Sequence, residues 1–128
     1  MIRTENTMYT VTTAAPQDPV DRVTPRLLIG PGDEGCKHLA AVRIDVPAGG
    51  RMGGHAHGDS ETLLTLLSGQ VVVRSGEQTG ELSPGGIAHV AVGEKVEVEN
   101  PGSEPAALLA VFSPPDFAAR IPRWTPAP

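Results

Sequence analysis

A single cysteine, two lysines and four aromatic residues stand among the 128 residues of this chain. One cysteine, Cys36, forms no disulfide within the chain and builds no thiolate zinc cluster, which fits a reducing cytoplasm. Tyr9, Phe112, Phe117 and Trp124 are too few to fill a core, so Val, Leu, Ile and Ala must do it. The longest uninterrupted apolar run is Ala106–Phe112, whereas a membrane helix needs about 20 such residues. Residues 1–25 carry charges throughout and hold no apolar segment, so neither a membrane span nor a secretory signal is expected. The formal net charge is −5 and no basic cluster occurs, which removes the electrostatic footprint of a nucleic-acid or anionic-lipid partner. Arginine in place of lysine, with abundant Ala, Gly and Pro, hints at a GC-rich bacterial genome.

What is present is punctuation. The 15 Gly and 13 Pro fall between short apolar stretches, as expected where many strands need many turns. Val42, Ile44 and Val46 alternate with Arg43 and Asp45 inside 39–46, the period of a half-buried strand. Residues 62–67 and 70–74 flank Ser68-Gly69, a hairpin signal. Residues 26–29, 88–92, 96–99 and 106–112 complete a set of seven to nine strands, with no convincing amphipathic helix. Short strands at regular spacing predict an all-β sandwich or barrel. The chain divides into a lead-in at 1–25, with Met8–Thr13 as an edge strand, a barrel at 26–115, and a tail at 116–128.

Chemistry concentrates in the histidines. On an extended segment His55 and His57 of His55-Ala-His57 point to one face, so both imidazoles can meet one metal ion. Glu61 follows within reach as an oxygen ligand, and His89 can arrive from another strand. Imidazole suits Zn, Cu, Fe or Ni, and a carboxylate admits Mn. His38 and Cys36 have no such neighbours and read as structural or surface residues.

The run from Gly49 through His55-Ala-His57 and Glu61 to Gly69 resembles the first signature of the cupin superfamily. Pro84-Gly-Gly86-Ile-Ala-His89 resembles the second, and together the likeness covers about residues 38–115. It implies a double-stranded β-helix, the jelly-roll barrel of two antiparallel sheets. It also implies one divalent transition metal (Fe, Ni, Zn, Mn or Cu) inside one end, held by His55, His57, Glu61 and His89. The pattern departs at three places: Gln78 stands where a glycine is expected before Pro84, Gly93 stands where an asparagine often follows His89, and the third bears on the metal. Seven residues separate Glu61 from Gly69 where the family has six, and counting back from Gly69 puts Thr62 at the acid's position. Either a bulge keeps Glu61 inward, the expectation taken here, or the site has three histidines and a water. Met52, Thr62 and Phe112 are expected to line the pocket.

The resemblance implies a metal-dependent enzyme acting on a small organic molecule. Its redox form is a dioxygenase; its non-redox form is a cyclase or isomerase that stabilises an enolate, with Glu61 as fourth ligand or catalytic base. Size and motif layout are also similar to aromatic polyketide cyclases of antibiotic-producing bacteria. The alternative is a non-enzymatic small-molecule binding or sensing cupin. A cytoplasmic homodimer, without nucleic acid or membrane partners, completes the expectation, its interface sought at Met8–Thr13 and the tail.

Overall fold

The computed structural model describes residues 9–11, 23–33, 35–117 and 124–126, with side chains for 23–33 and 35–117. Alternation decides its strands. In β3, Ala40–Val46, the residues Ala40, Val42, Ile44 and Val46 are buried, while Arg43 and Asp45 turn outward and pair at 3.4 Å. In β5, Glu61–Ser68, Thr62, Leu64 and Leu66 are buried while Glu61, Leu63 and Leu67 are exposed. The long β10, Ala106–Ser113, runs between β3 and β5 and buries Leu108, Ala110 and Phe112.

The remaining strands are β1 (Tyr9–Val11), β2 (Thr24–Ile29), β4 (Arg51–His55), β6 (Val71–Ser75), β7 (Gln78–Leu82), β8 (Ile87–Val90), β9 (Val96–Glu99) and β11 (Trp124–Pro126). They form a seven-stranded sheet, β11-β1-β2-β3-β10-β5-β8, and a four-stranded sheet, β4-β9-β6-β7. Every strand pairing is antiparallel. The first sheet buries its β3, β5 and β10 residues against Val71, Val73, Leu82, Val96 and Val98 of the second. This is the all-β barrel that the strand pattern predicts, in the double-stranded β-helix form that the resemblance implies. Burying such apolar surface is its main support, at about 25 cal/mol per Å².

Turns fix the register. At the β5–β6 hairpin Gly69 has φ +81°, and a Cβ there would lie 2.6 Å from the Pro105 carbonyl oxygen, so only glycine fits. Ser83-Pro84-Gly85-Gly86 closes through Gly86 N–H to the Ser83 carbonyl at 2.8 Å, with Gly85 at φ +89°. Proline second and a left-handed glycine third are what a type II turn requires.

Three strands escape the sequence reading. The β4 segment, Arg-Met-Gly-Gly-His, has two glycines and no β-branched residue; pairing with β9 extends it around a bulge between Met52 and His55. The β7 strand is almost wholly exposed and exists through its hairpin with β6. The third, β11, pairs with β1. Of the expected strand at Met8–Thr13, residues 9–11 form β1, while Met8, Thr12 and Thr13 lie outside the described residues. Since β1 has β2 on one side and β11 on the other, it leaves no open edge at residues 9–11.

Candidate ligand site

The β4 bulge and the turn that follows deliver two histidines to one end of the barrel. His57 is 4% exposed, and its Nε2 lies 3.0 Å from Nε2 of His55. His55 Nδ1 is 2.8 Å from the Gly53 carbonyl oxygen. A carbonyl only accepts, so Nδ1 donates its hydrogen to Gly53, and Nε2 faces His57. The second ring is held by Thr62, whose Oγ1 is 2.8 Å from His57 Nδ1. A hydroxyl donates or accepts, so Thr62 serves either tautomer of His57. His57 Nε2–H therefore donates to His55, and Thr62 donates to His57 Nδ1. Burial, and then the neighbouring His55, lower the His57 pKa from 6.5 to about 4, so the ring is neutral near pH 7.

Beside the pair lies a cavity of about 160 Å³, lined by carbon-rich side chains that include Met52, Leu64, Val98, Phe112 and Phe117. The Phe112 and Phe117 rings stand 5.2 and 4.7 Å from the His57 ring, centre to centre. Ser60 sets the position of Phe117. It is wholly buried, its Oγ donates to the Pro114 carbonyl at 2.6 Å, and it accepts from Phe117 N–H at 3.2 Å. Nothing in the sequence singled out Ser60, because a serine before a strand reads as an ordinary turn residue.

Glu61 and His89 do not join the pair. They face outward, 59% and 56% exposed at the side chain, and meet each other: His89 Nε2 is 2.5 Å from Glu61 Oε1. The cause is strand parity. In the β5–β8 ladder Leu63 is opposite His89 and Thr62 is opposite Val90. The face that carries Thr62 and Val90 inward therefore carries Glu61, Leu63 and His89 to the other side. The extra residue before Gly69 does produce a bulge, since Ala107 pairs with Ser68 and Leu108 with Leu66. It falls at Leu67, beyond the site, and leaves Glu61 outside. The expected four-residue cluster is thus split. Among the described residues no group of three or more His, Cys, Asp or Glu side chains is placed to hold an ion. Of the expected pocket residues, Met52 and Phe112 line the cavity, and Thr62 stands behind His57. His38 is exposed, and Cys36 donates to the Leu39 carbonyl at 3.2 Å.

Two facing antiparallel sheets with a histidine-lined cavity at one end define a barrel of the jelly-roll class. The family profile of the cupin domain matches residues 42–112, more than half the chain. The chain belongs to the cupin family. No curated protein sequence matches it. Among solved structures, it is similar to a predicted oxalate decarboxylase from Thermotoga maritima, at 21% identity and TM-score 0.71, covering 88% of this chain and 98% of that one. It also resembles a Thermus thermophilus protein at 28% identity and TM-score 0.60, covering 79% and 90%. A cupin-superfamily sugar phosphate isomerase from Silicibacter pomeroyi matches at 17% identity and TM-score 0.57, covering 70% and 59%. Among the described residues no helix is long and apolar enough to cross a membrane.

Proposed function

We propose that this cupin binds a small, largely apolar organic molecule in its barrel and holds that molecule's one polar group against His55 and His57. The observation that carries the reading is the cavity itself: about 160 Å³, carbon-lined, with two imidazoles as its polar focus. A dry apolar cavity of roughly 150 Å³ accepts a benzene-sized guest, so the expected ligand is about one aromatic ring in size. A phenol or a cyclic ketone meets both demands, its ring on Phe112 and Phe117 and its oxygen at the histidine pair.

Metal-dependent chemistry, as dioxygenase or as cyclase or isomerase, is the second reading. Cupins commonly bind a metal, and His55 and His57 present two nitrogens suited to one. The other two expected ligands, Glu61 and His89, lie on the far side of β5, so the residues here do not fit the four-ligand site and no reaction step is drawn through it. The small-molecule reading needs neither residue. A cytoplasmic homodimer belongs to the same proposal, and light scattering at the mass of a single chain would remove the dimer.

Thermal denaturation with a panel of phenol, benzoate, toluene and cyclohexanone tests the main reading. Phenol or cyclohexanone should raise the Tm saturably, toluene less because it leaves the imidazoles without a partner. Ala110→Leu, which fills the cavity, should abolish the shift. A panel without effect on the wild-type chain would overturn it.

A further inference from the structure

A second cavity, of about 340 Å³, opens where the two sheets end. Strand β7 is last in the four-stranded sheet and β8 last in the seven-stranded one, so among the described residues each is paired on one side only. The cavity lies between these two edges, with Val73 and Ser75 of β6 behind it. It shares no lining residue with the cavity at His55 and His57. We propose that it is a binding site for a neutral, hydroxyl-rich molecule the size of one sugar ring. The proposal does not rest on the ligand assigned to the histidine pair.

Gly80 is the first sign of an occupant. In the β6–β7 hairpin Val73 is opposite Gly80 and Ser75 is opposite Gln78. Leu82 is buried, and strand alternation puts Gly80 on the same face of β7. A Cβ at Gly80 would meet nothing within 4 Å, and its backbone is not in the left-handed region. Neither packing nor conformation asks for glycine there, and glycine weakens a strand interior. A glycine so placed marks the close approach of a second body. Ser75 is the second sign. It is 8% exposed, and its Oγ is buried with no hydrogen-bond partner among the described residues. Orphaned buried hydroxyls are rare in folded chains, and a ligand hydroxyl supplies the missing partner.

The walls select the chemistry. No Lys, Arg, Asp or Glu lines the cavity, and its one imidazole, His89, already has Glu61 at Nε2. A phosphate, carboxylate or ammonium would find no fixed opposite charge there. The walls offer instead the Ser75 and Thr79 hydroxyls and the Gln78 amide, beside apolar Val73 and Leu82. Hydroxyls and amides both donate and accept, as the hydroxyls of a polyol do. On the measure by which a cavity of roughly 150 Å³ holds the six carbons of benzene, this one holds on the order of a dozen heavy atoms. A hexose or an inositol is that size.

The test is saturation-transfer NMR and calorimetry of the full chain with glucose, galactose, mannose and myo-inositol, and with glucuronate and glucosamine as charged counterparts. At least one neutral probe should bind saturably, and the charged ones about tenfold more weakly or worse. Gly80→Leu puts a side chain into the open space and should abolish binding without lowering the Tm. Ser75→Ala should weaken binding about threefold to tenfold, yet leave the Tm of the free chain unchanged or raised, since no internal hydrogen bond is lost. Phenol should not displace the sugar. The proposal is overturned if no neutral probe binds, if the charged probes bind as firmly, or if Gly80→Leu keeps binding. Displacement by phenol, or a lowered Tm of free Ser75→Ala, would overturn it as well. Sugar binding without phenol binding would remove the reading of the histidine cavity and leave this one standing.

Discussion

The two faces of β5 carry neighbouring residues into opposite environments. Inward, Thr62, Leu64 and Leu66 are almost wholly buried, and Thr62 supports a histidine that burial and His55 together keep neutral. Outward, Glu61 and Leu63 are exposed, and Glu61 meets a solvent-facing His89. One residue of offset decides whether a polar side chain tunes the cavity or decorates the surface. The signature residues are the same in either case; the parity of the strand assigns them their chemistry.

The contrast is easiest to break in the core. Leu66→Ala should cost about 2–5 kcal/mol in urea denaturation, because it leaves a void between the sheets. Leu63→Ala, on the same strand and 40% exposed, should stay within about 0.5 kcal/mol. Equal losses would mean that β5 does not present these faces.

A pH series sharpens the comparison between the histidines. The folded pKa of His57 lies below its ordinary value, so the unfolded chain takes up the proton first. Above pH 6.5 the group adds no pH dependence. As the pH falls from 6.5 toward about 4, stability should drop, by on the order of 3 kcal/mol. His57→Gln should flatten that slope, measured by urea denaturation at each pH.

The smallest effect belongs to the outer pair. Glu61→Gln should change stability by less than about 1 kcal/mol, as solvent-exposed polar pairs do. A larger loss would place Glu61 in the interior.

Much of this molecule was legible in its sequence. The alternation in β3 and β9, the Ser68-Gly69 hairpin and the paired signatures lead to an all-β cupin barrel. Those signals are local periods and turn residues, which survive in one dimension. Strands β4 and β7 were not legible, since their extension comes from partners instead of from Gly53, Gly54 or Thr79 themselves. The site was half legible. His55-Ala-His57 declares two donors on one face. Whether Glu61 or Thr62 follows them inward depends on where the strand absorbs its extra residue, and the bulge at Leu67 is set by pairing with β10. Ser60 and Phe117 meet across 57 residues of chain, a contact no local pattern carries.

The central claim is that His55, His57 and Thr62 gather at the cavity while Glu61 and His89 stand apart. Histidine nitrogen NMR during a phenol titration tests it most directly. The account predicts that the ring signals of His55 and His57 move together and saturate, while those of His89 and His38 stay fixed. Concerted movement of His89 with the pair would contradict it and place all three imidazoles in one site.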